Sequence, residues 1–339
     1  MSKLEEILSK KILILDGAMG TMLQEYKFSE EDFRGSRFAD WPRSLKGNND
    51  LLSLTQPHAI EEIHRKYFLA GADIVETNTF SGTTIAMADY GMEELVYELN
   101  FESARIAKKV AVELTLEEPS KPRFVAGAIG PTNKTASMSP EVNDPGYRAI
   151  SFEQLLVAYK LQARALIEGG VDVLLVETVF DTLNAKAALY AIDELKEELH
   201  SEIPVMISGT ITDASGRTLS GQTAEAFLIS ISHMNLLSVG FNCALGASQL
   251  TPHLEVLARK SEFGISAYPN AGLPNAFGEY DETPKIMAEQ IQEYLEKGLV
   301  NILGGCCGTT PAHIKAISEI SKEYKPRSLK KILKPETFL

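Results

Sequence analysis

The three cysteines of this chain, Cys243, Cys306 and Cys307, each follow an apolar, strand-like run, at the point where glycines and polar residues take over. Structural cysteines usually behave as small hydrophobic residues that are scattered through a core. The placement of every thiol at a predicted strand end instead predicts three thiolates that converge on one metal ion. Three protein ligands with an open fourth position are typical of a catalytic zinc site.

Three other interpretations of this cysteine pattern stay open at the level of sequence. The adjacent pair could form a vicinal disulfide, although consecutive Cα atoms lie only about 3.8 Å apart, below the usual range for a bridge. His253 or His313 could complete a closed structural zinc site with three cysteines and one histidine. Gly304 and Gly305 could form a phosphate-binding turn, which is common after the last strands of a barrel.

The chemistry expected of three cysteinates around zinc follows from their charge. The site would carry a net charge of about −1, so the metal would be a weak Lewis acid for water. It could still hold a substrate thiol as its thiolate, because coordination removes a proton whose ordinary pKa is about 8.5. The sulfur would remain electron-rich. The pattern therefore predicts the transfer of an alkyl group to a thiol.

Acidic residues close three other predicted strands. Asp16 follows the first strand, and Glu76 and Glu177 end the second and fourth strands in two copies of Val-Glu-Thr. Carboxylates in this position can pair with a substrate ammonium group, and the turn that starts at Gly17 exposes backbone N–H groups that suit a carboxylate. The alternative is that these acids cap the following helices. Together they predict an amino-acid substrate.

The elements that position these residues are eight short apolar runs rich in valine and isoleucine, each followed by a helix-like stretch. Runs that are apolar on both faces are typical of parallel strands covered by helices. They lie at residues 12–15, 72–76, 124–128, 173–177, 205–209, 238–241, 264–267 and 300–303. The pattern predicts an α/β fold, a single-domain (β/α)₈ TIM barrel over residues 1–325, with a doubly wound open sheet as the competing architecture.

A barrel imposes a geometric condition on the cysteines. Strands 6 and 8 can contribute to the same interior layer, but their axes lie about 10 Å apart, so the strand ends must lean inward to share a metal. Neighbouring residues on a regular strand face opposite sides, so Cys306 and Cys307 can converge only after strand 8 has broken. Helical periodicity between the strands is clearest at residues 60–68, 152–168 and 281–296.

Composition limits the classes of partner. The formal net charge of −13 argues against binding to nucleic acid or to an anionic membrane. The longest apolar runs, such as residues 171–176, are far shorter than the roughly 20 residues that span a bilayer. An odd number of cysteines does not make a disulfide framework. We therefore expect a cytoplasmic protein.

Two segments fall outside the regular βα pattern. The insertion at residues 26–57 contains the single tryptophan and is either a lid over the catalytic face or a packing loop. The tail at residues 326–339 is basic and interrupted by prolines, which is typical of a linker. It suggests that the chain is one module of a longer enzyme.

The motifs at residues 15–21, 240–243 and 304–309 resemble those of zinc-dependent homocysteine S-methyltransferases, and the resemblance extends from about residue 10 to about residue 325. It implies a (β/α)₈ barrel whose zinc ligands are Cys243, Cys306 and Cys307. It also implies that Asp16 and Glu177 bind the ammonium group of L-homocysteine, with Glu76 as a secondary candidate. The candidate substrate-binding residues within the matching motifs also include Gly17 and Asn242.

Within this family, residues 46–52 and 76–90 look most like the N-terminal homocysteine module of cobalamin-dependent methionine synthase. The resemblance implies that zinc-bound homocysteine thiolate accepts a methyl group from methylcobalamin, originally from 5-methyltetrahydrofolate, to give methionine. The Asp-x-His-x-x-Gly pattern of a cobalamin module does not occur here, so cobalamin-binding and folate-binding modules are expected as separate partners. The alternatives are a small donor, betaine or S-methylmethionine, or a non-catalytic zinc-stabilised scaffold.

Overall fold

The computed structural model describes residues 3–212, 215–275, 278 and 280–329. All eight predicted strands are present, and they form one parallel sheet in the order β1-β8-β7-β6-β5-β4-β3-β2. Their bounds are Leu13–Ile14, Ile74–Glu76, Phe124–Ile129, Val173–Val179, Val205–Gly209, Ser238–Gly246, Gly264–Asn270 and Ile302–Leu303. A parallel bridge between Leu15 and Ile74 joins β1 to β2 and closes the sheet. The predicted (β/α)₈ barrel is confirmed, and the open sheet is not formed.

Helices connect successive strands and cover the outside of the barrel. In the described residues, α1 to α13 span Lys3–Leu8, Met19–Tyr26, Glu30–Arg34, Leu52–Thr55, Pro57–Ala70, Thr84–Met87, Val96–Glu117, Phe152–Glu168, Thr182–Leu199, Ala224–Ile231, Ala247–Lys260, Pro284–Glu296 and Pro311–Ser321. None of these helices is long and apolar enough to cross a membrane. The cytoplasmic location stays a prediction.

Local sequence explains where several helices begin and end. Helix α8 has the predicted bounds because Ser151 and Gln154 form a reciprocal capping box at its start. Helix α12 begins three residues later than predicted, because Thr283 caps it and Pro284 occupies its first position. Helix α5 ends at Gly71, whose φ of 119° is the left-handed conformation that glycine adopts readily.

Apolar residues pack on both faces of the sheet, in two clusters. The inside of the barrel is filled by alternating residues of the strands, such as Leu13, Ile74 and Leu175, and α1 closes its N-terminal end with Leu4 and Leu8. A larger cluster lies between the sheet and the helices. Because both faces of the strands are buried, they appear in the sequence as continuous apolar runs.

The insertion at residues 26–57 packs against the barrel. Phe33, Phe38 and Leu45 are buried in the outer core, and the indole N–H of Trp41 donates to the carbonyl of Tyr90 at 2.9 Å. Residues 47–50 line the large cavity described below. The insertion therefore combines packing with a contribution to the cavity wall.

The beginning of the predicted tail lies against the N-terminal end of the barrel. Arg327 is buried, and its guanidinium donates to three backbone carbonyls in the segment 258–263. Its main-chain N–H donates to the carbonyl of Val300, just before β8. Residues 330–339 lie outside the described residues, so the division into a barrel at 1–325 and a linker at 326–339 stays a prediction.

Candidate active site

The three thiols meet at the C-terminal end of the barrel. The Sγ atom of Cys307 lies 3.8 Å from that of Cys243 and 4.0 Å from that of Cys306, and all three atoms are within 4.8 Å of one another. A tetrahedral zinc ion with Zn–S bonds of about 2.3 Å requires sulfur atoms about 3.8 Å apart. The spacing and the chemistry of the donors therefore fit zinc.

Backbone distortions aim the cysteines at one another. The register between β6 and β7 shifts between Asn242 and Gly246, and Cys243 and Ala244 have left-handed φ values of 60° and 57°. Strand β8 ends at Leu303, before the cysteine pair. The predicted break of strand 8 is thus confirmed, and β6 adds a bulge that the sequence did not indicate.

Neighbouring loops hold the cysteine pair in place. The N–H of Cys306 donates to the carbonyl of Pro269 at 2.8 Å, and the N–H of Cys307 donates to Oδ1 of Asn270 at 3.1 Å. The hydroxyl of Thr309 donates to the carbonyl of Cys306 at 2.6 Å and accepts from the N–H of Ala18 at 3.1 Å. Neither Asn270 nor Thr309 was predicted as a site residue; Asn270 ends strand β7, three residues past the predicted end at 267.

The protein alone distributes charge unevenly over the three thiols. Hydrogen bonds with Cys243 and Cys306 lower the pKa of Cys307 to about 3. Hydrogen bonds with Cys243 and Cys307, together with burial, raise the pKa of Cys306 well above its usual range. A hydrogen bond with Cys306 lowers the pKa of Cys243, but Cys307 and burial outweigh it and raise that pKa to about 11. One thiolate thus forms readily, and three at this spacing require a cation.

The structure does not support a disulfide or a phosphate site at the cysteine pair. The two Sγ atoms are 4.0 Å apart, whereas a disulfide bond is about 2.05 Å long. The N–H groups of Gly304 and Gly305 donate to the carbonyls of Ala267 and Asp16. These amides are therefore already paired and do not face a phosphate.

Neither candidate histidine completes the thiol cluster. Nδ1 of His313 lies 3.2 Å from the backbone nitrogen of Thr310, and its Nε2 lies 2.9 Å from the carbonyl oxygen of Glu282. The ring of His253 packs edge-on against Phe241. Among the histidines, cysteines and acids of the described residues, the ligand cluster contains only the three cysteines. These residue types would therefore supply three ligands to a zinc ion and leave its fourth position to another group.

The three predicted acids lie together beside the thiols. Asp16 is 3% exposed and Glu177 is 4% exposed, while Glu76 is partly buried. The carboxylate of Asp16 accepts the N–H of Glu76 at 3.1 and 3.2 Å. Burial raises the pKa of all three carboxyls well above the usual range, and repulsion between the neighbouring acids adds to this shift.

A cavity of about 1070 Å³ joins the acids to the thiols. Its lining, among the described residues, contains no lysine or arginine. The cavity exceeds the range of about 300–1000 Å³ that is common for ligand sites. It therefore has room for a small amino acid and for a second reactant. Its acids, which no lysine or arginine of the described lining neutralises, are suited to a cation that the ligand brings.

The two remaining candidate substrate-binding residues differ in their position relative to the cavity. Gly17 lines the cavity, and a Cβ atom at this position would lie 2.7 Å from Oγ1 of Thr309 and 3.0 Å from the ring of Tyr67. Asn242 is fully buried and pairs with Thr178, and it is not among the described residues that line the cavity. Direct contact with substrate stays a prediction for both residues.

Comparison with known proteins decides the family. The sequence model of the homocysteine S-methyltransferases matches residues 13–321. The chain belongs to the homocysteine S-methyltransferase family. It is therefore an enzyme, a methyltransferase, and family membership does not support the alternative of a non-catalytic scaffold.

Solved structures show the same fold. The chain is similar to the homocysteine methyltransferase MmuM from Escherichia coli in its metallated form, with 24% identity, a TM-score of 0.72 and coverage of 93% of this chain and 98% of that one. The oxidized form matches with 23% identity, a TM-score of 0.71 and coverage of 91% and 96%. The apo form matches with 22% identity, a TM-score of 0.65 and coverage of 91% and 95%.

Proposed function

We propose that this family member methylates the sulfur of L-homocysteine with the help of a zinc ion held by Cys243, Cys306 and Cys307. The observation that carries the proposal is the zinc-compatible spacing of three Sγ atoms, with no histidine or carboxylate in their cluster within the described chain. Zinc bound there supplies a cation that takes up a substrate thiol as thiolate and leaves its sulfur nucleophilic.

The acids beside the thiols are proposed to bind the ammonium group of homocysteine. Burial raises the pKa values of Asp16, Glu76 and Glu177, and repulsion from a neighbouring acid adds to each shift, which is unfavourable for three carboxylates until a cation joins them. Glu177 is connected to the thiols through the next residue, Thr178, whose N–H donates to Oδ1 of Asn242 at 3.1 Å, and Asn242 directly precedes Cys243. One small amino acid can therefore reach both groups.

The methyl group must reach the sulfur through the cavity. In the transfer, a carbon–sulfur bond forms, and the bond between the methyl group and its donor breaks with the electron pair left on the donor. The thiol proton has left before this step. The cavity walls position the two reactants, which is the contribution expected of proximity and orientation.

We propose methylcobalamin, bound by a separate module and recharged from 5-methyltetrahydrofolate, as the donor. The two segments on which this assignment depends, residues 46–52 and 76–90, form one wall of the cavity. Nδ2 of Asn78 donates to the carbonyl of Asn49 at 2.8 Å, and the N–H of Ser81 donates to Asp50 at 2.8 Å. A small donor, betaine or S-methylmethionine, is the second candidate, because membership of the family is compatible with either.

A metal experiment tests the reaction. We expect one zinc ion per chain and, by X-ray absorption, three sulfur ligands that become four when L-homocysteine is added. Methylcobalamin should then be demethylated slowly, with formation of methionine. Metal-free protein that methylates homocysteine at the same rate, or a sulfur count that does not change with substrate, would contradict the proposal.

A second experiment tests which methyl donor the enzyme uses. The zinc-loaded chain is given methylcobalamin, betaine or S-methylmethionine with homocysteine, and methionine is measured. We expect product only with methylcobalamin, and no product from Cys307→Ala with any donor. Rapid turnover with betaine or S-methylmethionine would replace the cobalamin assignment with the small-donor alternative.

A further inference from the structure

Asn242 connects two strands that are not neighbours in the sheet. It lies on β6, and its Nδ2 donates to Oγ1 of Thr178 on β4 at 2.8 Å. In return, the N–H of Thr178 donates to Oδ1 of Asn242 at 3.1 Å. Strand β5 lies between these strands, and Thr210, just after its end, donates its hydroxyl to the carbonyl of Asn242 at 3.1 Å.

Both ends of this connection have distorted backbones. Thr178 has a φ of 54° where the register of β4 shifts, and Cys243 has a φ of 60° where the register of β6 shifts. A residue other than glycine is strained in this conformation. The reciprocal hydrogen bonds of Asn242 offset this strain, because they hold both bulges against each other.

The connection continues to the reacting groups on each side. Nδ2 of Asn242 lies 3.9 Å from Sγ of Cys306, and the hydroxyl of Thr178 lies 3.5 Å from Oε2 of Glu177. A single buried carboxamide thus lies between a thiol of the cluster and the acid proposed to bind the ammonium group. Groups of this kind fix the orientation of the residues that contact metal and substrate.

We infer that Asn242 is a positioning residue that sets the distance between the thiol cluster and Glu177, and thereby selects the chain length of the amino-acid thiol. The inference rests on the proposed function. Homocysteine and cysteine differ by one methylene group between the sulfur and the α-carbon. A site that holds both ends of the ligand at a fixed separation discriminates between them, typically by about 10- to 200-fold for one methylene group.

The test compares Asn242→Ala with Asn301→Ala. Asn301 is a matched control, because it is also fully buried and also uses both amide atoms: Oδ1 accepts from Ile265 and Nδ2 donates to the carbonyl of Arg327. It lies just before β8, at the opposite end of the barrel. Dissociation constants for homocysteine and cysteine are measured by calorimetry on zinc-loaded proteins whose zinc content is determined separately.

We expect Asn242→Ala to keep its zinc and to lose roughly tenfold or more of its preference for homocysteine over cysteine. Asn301→Ala should lower the melting temperature and leave the preference unchanged. An unchanged preference in zinc-replete Asn242→Ala would overturn the inference, as would an equal change in both variants.

A second variant covers the case in which Asn242→Ala does not fold. Thr178→Val keeps the shape and the backbone N–H of Thr178 but removes the hydroxyl that accepts from Asn242, so a smaller loss of preference is expected. No change in Thr178→Val would then overturn the inference. Wild-type protein that binds no homocysteine at its zinc would instead overturn the proposed function, so the two failures are distinguishable.

Discussion

Strands β2 and β4 are each preceded by an aspartate and carry a glutamate at or near the C-terminal end. The chain pairs the aspartates with its own groups but does not pair the glutamates with a basic residue of the described cavity lining. Before the strands, Asp73 binds Nζ of Lys11 at 2.7 Å and the N–H of Ile14 at 3.0 Å. Asp172 likewise binds Lys108 and a backbone N–H. At the other end, Glu76 and Glu177 lie in a cavity whose described lining has no lysine or arginine.

This contrast indicates that the acids at the N-terminal ends of β2 and β4 stabilise the fold, whereas those toward the C-terminal ends serve function. Acids at the N-terminal end are paired by the chain itself and join neighbouring βα units. At the C-terminal end, burial and the charge of a neighbouring acid raise the pKa values of Glu76 and Glu177, so their pairing is left to a ligand. This agrees with the general division of a TIM barrel into a stabilising end and a catalytic end.

The largest effect is expected from the thiols. Cys307→Ala should lose stoichiometric zinc and methyl transfer, because two thiolates with an open site bind zinc far more weakly than three. Its melting temperature should match that of wild-type protein stripped of metal by a chelator. Zinc analysis, methionine assays and thermal unfolding measure this, and a variant that unfolds outright would indicate a structural metal instead.

Glu177→Gln should weaken homocysteine binding without loss of zinc. Removal of one charged partner in a buried site should cost about 1.5–3 kcal/mol, which is about ten- to a hundredfold in affinity. 4-Mercaptobutyrate, which lacks the amino group, should bind wild-type protein poorly and lose little further in the variant. Two calorimetric titrations decide the matter. Equal affinity of wild type and variant for homocysteine would exclude Glu177 as the ammonium partner.

Asp73→Ala should lose stability and keep its affinity for homocysteine, the reverse of the result expected for Glu177→Gln. It leaves the N–H of Ile14 and the ammonium of Lys11 without their partner, and Asp73 is 3% exposed while Lys11 is 48% exposed. The expected loss is about 1–2 kcal/mol in the free energy of unfolding, since much of the ion pair is screened by solvent. Denaturant unfolding measures the loss, and calorimetry should show unchanged homocysteine affinity. Weaker homocysteine binding by Asp73→Ala would contradict the proposed division between a stabilising end and a functional end.

The smallest effect concerns Asp50 in the cavity wall, where burial raises the carboxyl pKa to about 7. The unfolded chain ionises this group near pH 3.9, so between about pH 4 and 7 unfolding releases a proton and stability falls as pH rises. Asp50→Asn should therefore be more stable than wild type at pH 8 and close to it at pH 4, and the difference should grow as the pH rises from 4 to about 7. Melting temperatures at both values measure this, with the exposed Asp89→Asn as control.

Sequence alone was sufficient for the architecture, because strands buried on both faces and the helices that follow them leave a regular signal. It was less informative where strands are irregular. Strands β4 and β6 extend to Val179 and Gly246, past the predicted ends at 177 and 241, through bulges at Thr178 and Cys243. A threonine or cysteine does not indicate a left-handed φ, and here the conformation depends on hydrogen bonds between distant strands.

The same limit applies to the site. The residue types and strand-end positions of Cys243, Cys306 and Cys307 indicated their convergence, and the structure confirms it. The supports of the cysteine pair could not be found this way, because the hydroxyl of Thr309 and the N–H of Ala18 that it binds are 291 positions apart in the chain. Such contacts are determined by the closed barrel and have no local pattern.

Arg327 lies close to the C-terminal limit of the described residues, at residue 329. Its main chain is bound beside Val300, at the end of β8 that lies away from the thiols. If a donor-carrying domain were joined after this point, its connecting chain would therefore have to pass around the outside of the helical layer for the domain to reach the cavity. Its effective concentration at the cavity would depend on the length and stiffness of the connecting chain, and a connection too short to span that path would deliver no methyl group.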